Sequence, residues 1–329
     1  MPASRWVLWL AAMRAWLFLA LLLIGFESWA RVSYGSTFVF SIYNAQSIAV
    51  FAVAPLLLAL GETFVIIAGG IDLSVGFIMG LSAVVAAHAA NYAGGSDGGF
   101  GAMLLGVAAG LAVSLVPGTV NGWLISKLKV PPFIGTLGMY GVARGVAFLL
   151  ASGTTVPVNN AWFAALGNGR LLGVPVVVLI TVLFLLAMSY LLSQTRFGQH
   201  TYAVGASEQA ALRAGIGVGR HTRKLYLLSA LCAGLGGVLY TARFTAGAAQ
   251  AGEPLLLDSI AAVVIGGASL FGGSGTILGT VAGSLVIAVI QYGLVFMDVE
   301  PFWQFVAVGI VIIISVLVDQ TQRKLGGDR

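Results

Sequence analysis

Two carboxylates stand in stretches that otherwise read as hydrocarbon. Glu62 sits between Leu57-Leu58-Ala59-Leu60-Gly61 and Thr63-Phe64-Val65-Ile66-Ile67, and Asp72 follows in Gly69-Gly70-Ile71-Asp72-Leu73-Ser74-Val75-Gly76. A carboxylate at membrane depth costs on the order of a few kcal/mol unless it is paired, protonated or hydrated. Two roles are open to Glu62: an ion pair that holds helices together, with Arg144 as a partner at comparable depth, or a polar wall of a solute path. Asn44, Gln46 and Thr63 add polar groups to the same apolar stretch, which therefore faces the interior of a bundle rather than lipid.

The glycine pattern around Asp72 occurs twice. Residues 69–76 and residues 266–273 (Gly-Gly-Ala-Ser-Leu-Phe-Gly-Gly) both fit G-G-x-x-L-x-x-G, each after an apolar lead-in. Glycine pairs weaken a helix and let the backbone turn. Opened backbone at membrane depth is tolerated only where it is buried in protein or lines a watery cavity. Transporters place such breaks in corresponding positions of two repeats to line the path. The path set is therefore Asn44, Gln46, Glu62, Thr63, Asp72, Ser74, Ser269 and Ser274. The plainer reading keeps the glycines as tight turns, with Asp72 capping the helix that follows.

Other chemistry is missing from the sequence. No G-x-x-x-x-G-K-[ST] phosphate loop occurs, and Gly272-Gly273-Ser274-Gly275-Thr276 lacks the lysine. No G-x-S-x-G nucleophile occurs. His88, His200 and His221 lie far apart, and Cys232 is the single cysteine. The reading is of a transport subunit and not an enzyme, with no metal and no cofactor in this chain.

The elements that must position these residues are membrane helices. Of the 329 residues 59% are hydrophobic and 8% charged, against about a quarter charged in soluble domains. The class is an all-α, polytopic membrane protein with about ten spans and broken or re-entrant segments. The spans read as 14–33, 45–68, 73–92, 101–125, 133–152, 174–193, 225–247, 257–271, 275–296 and 302–319, in one permease domain over 1–329. Ser28-Trp29-Ala30 is a weak cleavage signal, and the first span reads as retained.

With both termini in the cytoplasm, twelve of the 16 basic residues fall inside: Arg5, Arg14, Lys127, Lys129, Arg196, Arg213, Arg220, Arg223, Lys224, Arg323, Lys324 and Arg329. The reverse orientation inverts that ratio, so the positive-inside rule decides. The charge of +5 is thus a topology signal and not a nucleic-acid site. The outer connector 153–173 holds one short helix, Ala161–Leu166. The inner connector 194–224 holds another, with Ser207 as N-cap and Gly215 as its end.

Glu62 to Gly76 resembles the signature stretch of ribose-type ABC permeases. Lys129-Val130-Pro131-Pro132-Phe133-Ile134-Gly135-Thr136-Leu137-Gly138, then Arg144-Gly145, resembles a second family stretch, as do Tyr202–Gly205, Glu208–Ile216 and Asp258–Gly273. The resemblance implies a type II-like ABC importer fold in the bacterial inner membrane, moving a monosaccharide or related polyol by alternating access. It implies a second permease chain as a homo- or heterodimer, two ATP-binding subunits carrying ATP and Mg, and a periplasmic sugar-binding protein. It places the ATPase coupling region at Ser207, Glu208, Ala210, Ala211, Gly215 and Ile216. Glu62 departs from the family pattern, which has an uncharged Met or Gln there. Asp97, Glu253, Asp258, Asp298 and Glu300 are read from charge and side as contacts for the binding protein. A branched-chain amino-acid ABC permease, an ion-coupled secondary transporter and a membrane scaffold are the rival readings.

Overall fold

The structure, a computed structural model, describes residues 5–300, 302–311 and 313–314. In chain order the helices are α1 (Arg5–Tyr34), α2 (Ile42–Ile67), α3 (Val75–Tyr92), α4 (Gly99–Ser126), α5 (Pro132–Leu150), α6 (Ala161–Asn168), α7 (Val176–Gln194), α8 (Arg196–Ala206), α9 (Glu208–Arg213), α10 (Val218–Phe244), α11 (Leu255–Ile265) and α12 (Ile277–Phe296), followed by α13 (Phe302–Val311). Among the described residues eight helices are long and apolar enough to cross a membrane. They correspond to eight of the ten expected spans. Of the other two expected spans, 257–271 is the short helix α11, and 302–319 is described only at 302–311 and 313–314, all of it helical. Residues 315–319, with Arg323, Lys324 and Arg329, lie outside the described residues.

The bundle has a buried centre and an exposed rim. Between 67% and 83% of the best apolar window is buried in α2, α3, α10 and α12, against 17% to 28% in α1, α4, α5 and α7. Small residues make this packing close, as expected where hydrophobic burial no longer drives helix association. A β-carbon at Gly237 of α10 would collide with the backbone of Met79 in α3, and one at Gly118 of α4 with Ala230 in α10.

Lys127, Lys129, Arg196, Arg213, Arg220, Arg223 and Lys224 sit in or beside the connectors at one end of the bundle, here called the basic face. The opposite face carries α6 and two two-stranded ladders: β1 (Val156–Pro157) with β4 (Ala246–Gly247), and β2 (Arg170–Leu171) with β3 (Val174–Pro175). The expected outer helix is α6, capped by Asn160, whose side chain accepts from the backbone N–H of Phe163.

Two spans are discontinuous. The first is the one expected. α2 ends at Ile67, Gly69 takes φ +82°, and residues 68–74 turn back into the bundle, so that α3 starts in the interior with Asp72, Ser74 and Val75 wholly buried. The second corrects the sequence reading. The glycine cluster 266–273 is the turn from α11 to α12. The interrupted backbone is residues 245–254, after α10 closes on Thr245 at φ +49°. This segment descends along α3, with Gly247 against Ala83, Ala249 against Gly80 and Gly252 against Gly76. The 11-residue α11 then covers the remaining depth, about 16 Å.

Candidate functional site

The site grows from the first discontinuity. An unwound strand of backbone inside the bundle leaves amides that need acceptors, and Asp72 meets this need. Its Oδ1 accepts from the backbone N–H and the hydroxyl of Ser74, and its Oδ2 accepts from Ser229 Oγ of α10 at 2.9 Å. Asn121 of α4 donates to Ser74 Oγ at 2.9 Å. The Asp72 N–H points at Glu62 Oε2 over 3.4 Å. Glu62, Asp72, Ser74, Asn121 and Ser229 are all fully buried. Among the described residues Glu62 Oε1, Asn121 Oδ1 and the Tyr226 hydroxyl have no hydrogen-bond partner, and a β-carbon on Gly70 would stand 2.7 Å from that hydroxyl.

Glu62, Asp72 and Ser74 are thus brought together. Asn121 of α4 and Tyr226 and Ser229 of α10 complete the cluster, and the sequence reading missed them because none belongs to a motif. The pairing of Glu62 with Arg144 is not found. Arg144 lies instead on Glu253 of the unwound segment, Nη1 to Oε1 at 3.9 Å.

The remaining path candidates fall elsewhere. Thr63 donates to the Ala59 carbonyl at 2.6 Å and meets Thr280 at 2.7 Å. Asn44 donates to the carbonyls of Thr37 and Phe38 and accepts from the Tyr292 hydroxyl. Gln46 reaches the opposite face, where it donates to the Gly173 carbonyl and accepts from Arg170, both at 2.8 Å. Ser269 and Ser274 belong to the α11–α12 turn, where the Ser269 N–H donates to the Ser274 carbonyl.

Cavities open at both ends. A pocket of about 300 Å³ on the basic face is lined by Gly69, Gly70, Lys129, Pro132, Glu208 and Tyr226. Lys129 and Glu208 stand 3.5 Å apart at its edge. Toward the other face a cavity of about 470 Å³ is bounded by Tyr240, Arg243, Asp258, Gln291 and Gln304. Along α2 and α10 the two are separated by packed residues, Leu58, Ala230 and Ala233, none exposed.

The inner connector forms a helical hairpin. Ser207 caps α9 by accepting from the Ala210 N–H at 3.2 Å, and Gly215 at φ +80° turns the chain after it. α8, not foreseen, precedes it and docks on the bundle. Tyr202 donates to the Gly275 carbonyl at 2.7 Å, and Thr201 meets His221 at 3.0 Å. Within α9, Ala211 turns inward and is buried with Val204 and Val218. Glu208, Ala210 and Gly215 are exposed and Ile216 is partly covered, so the face that α9 presents outward does not include Ala211.

Two acidic residues expected at the outer surface are corrected. Asp258 is 6% exposed and accepts from Gln291 at 2.8 Å. Glu253 lies at membrane depth beside Arg144. Both are carried inward by the unwound segment.

Residues 44–316 match the family described as Branched-chain amino acid transport system / permease component. The chain belongs to that family. This permease is 42% identical over 266 residues to the ribose import permease protein RbsC of Bacillus subtilis, covering 80% of each chain. It is 37% identical over 272 residues to the fructose import permease protein FrcC of Rhizobium meliloti, covering 80% of this chain and 74% of the relative. It is 35% identical over 277 residues to the D-allose transport system permease protein AlsC of Escherichia coli, covering 84% and 83%. The permease is a transport component that works with ATP-binding subunits and a substrate-binding protein.

Proposed function

We propose that this permease carries a monosaccharide or related polyol across the bacterial inner membrane, by alternating access driven by ATP hydrolysis in partner subunits. The observation that carries this reading is the set of relatives above, named for ribose, fructose and allose, aligned over at least 80% of this chain. The family description names branched-chain amino acids. The sugar reading is preferred because the named relatives match over 74–83% of their own length.

The assembly has two permease chains, two ATP-binding subunits that hold ATP and Mg, and a periplasmic binding protein that supplies the sugar. Both termini and the α8–α9 hairpin lie in the cytoplasm, and α9 meets the ATPase. The geometry supports alternating access in one respect: the pockets at the two ends are separated by close packing, so passage requires a rearrangement that opens one end at a time.

The test is uptake of labelled ribose, fructose and allose into proteoliposomes holding the permease, its ATPase and its binding protein. Uptake that requires ATP hydrolysis and survives collapse of the ion gradients is expected. Uptake without hydrolysis removes the mechanism, and uptake of leucine in place of sugars restores the amino-acid reading.

A further inference from the structure

An ion pair is half exposed on the outside of the bundle at hydrocarbon depth. The side chains of Arg144 and Glu253 are 49% and 39% exposed. Arg144 lies in α5, 12 residues beyond Pro132 and six before Leu150, or about 18 Å and 9 Å from the two ends. Glu253 reaches the same depth from the other direction, since it precedes the half-length α11 by two residues. An exposed charge pair at that depth cannot rest against lipid tails without a penalty on the order of a few kcal/mol.

The pair is held but not closed. The Arg144 guanidinium stacks over Phe77 at 5.3 Å and Phe148 at 5.9 Å. The Tyr140 hydroxyl donates to Glu253 Oε1 at 3.4 Å, and its ring packs edge-on to Phe77. The Arg–Glu separation of 3.9 Å exceeds hydrogen-bond length, so both heads keep donors and acceptors for a third group. A row of glycines flanks the pair on α5. β-carbons at Gly138, Gly141 and Gly145 would meet nothing within 4 Å.

We infer that Arg144, Glu253 and Tyr140 form a sugar-contacting station on the wall of the transport passage, which runs along the exposed face of α5 and is closed on its far side by the second permease chain. The guanidinium donates to one solute hydroxyl and the carboxylate accepts from another, so a diol spans the gap between them. Water there removes the lipid penalty when no solute is present. The two cavities inside the single chain do not join, which agrees with a passage on its surface. This inference rests on the sugar-import reading.

The test uses the whole transporter with Cys232→Ala as background and single Gly141→Cys or Gly145→Cys substitutions. Leu183→Cys, on the rim helix α7 and 72% exposed, is the lipid-facing control. A charged, membrane-impermeant thiosulfonate should modify the α5 cysteines at least ~10-fold faster than the control, as expected for a wet face. Equal slow rates would place α5 against lipid or sealed protein and overturn the inference. In parallel, Arg144→Gln and Glu253→Gln should each lower uptake of whichever of ribose, fructose or allose the wild type carries by ~10-fold or more, as loss of charged contacts to a bound solute does, while the ATPase still co-purifies. Normal uptake by both variants also overturns it. If the wild type imports no monosaccharide or polyol, the import reading itself has failed, and this station fails with it.

Discussion

Gly205 of α8 lies directly on the carbonyl of Ile67, the last residue of α2, with no room for a β-carbon between them. The same carbonyl accepts from the Gly273 N–H at 2.8 Å, and a β-carbon on Gly272 would meet Gly69 at 3.0 Å. Both copies of the glycine motif therefore meet under the hairpin that carries α9. Any displacement of α8 is felt at the ends of both α2 and the α11–α12 turn.

Gly205→Ala should therefore loosen coupling more than folding. The methyl group must push α8 off Ile67, and overpacking of this kind costs about 1–3 kcal/mol. ATP hydrolysed per sugar imported should rise, by several-fold, in proteoliposomes where both are measured together. An unchanged ratio with normal uptake would show that this contact transmits nothing.

Asp72→Ala removes an acceptor that serves the Ser74 N–H, the Ser74 hydroxyl and Ser229. Each buried donor left without a partner costs about 1–3 kcal/mol. The variant should insert, unfold at a lower temperature in detergent and lose most transport. Asp72→Asn, which keeps an oxygen acceptor, should recover part of the stability. Equal melting of wild type and Asp72→Ala would end the view of Asp72 as the anchor of the first discontinuity.

The first discontinuity was legible because Gly69-Gly70 and Asp72 put a turn and a polar anchor in one short stretch. So was α9, whose cap, Ser207, and terminator, Gly215, are local signals. The second discontinuity was not. Residues 245–254 carry Gly247, Gly252 and Pro254, yet their backbone stays unwound only because Gly76 and Gly80 of α3 admit it, and that is a fact about another helix. The same limit hid Asn121, Ser229 and Tyr226 from the reading of the buried cluster. It also misdirected Glu253 and Asp258, whose depth depends on where the chain is unwound.

Ser207→Ala separates capping from charge in the hairpin. Loss of the bond to the Ala210 N–H should cost α9 about 1 kcal/mol. The expected result is weaker retention of the ATPase on purification. Lys129→Ala removes an exposed partner of Glu208, 72% and 55% exposed respectively, and surface pairs contribute about 0–1 kcal/mol. It should lower the melting temperature by no more than about 2–4 °C, the shift that a term of this size gives. A larger loss of ATPase from Lys129→Ala than from Ser207→Ala would reverse this assignment.

Gly80→Ala tests whether α3 must admit the unwound segment. A β-carbon there would fall on the carbonyl of Ala249, and neither side can yield by a rotamer change, since both atoms are backbone. The variant should be destabilised by at least about 2 kcal/mol, within the range for overpacked cores. Gly25→Ala supplies the contrast on the rim helix α1, where a β-carbon meets nothing within 4 Å. There the methyl group should leave stability unchanged or raise it by roughly 0.5–1 kcal/mol, the helix preference of alanine over glycine. Thermal unfolding of both in the same detergent is the measurement. If Gly80→Ala melts with wild type, the segment 245–254 does not lie against α3, and the depth assigned to Glu253 and the station it forms with Arg144 would be lost together.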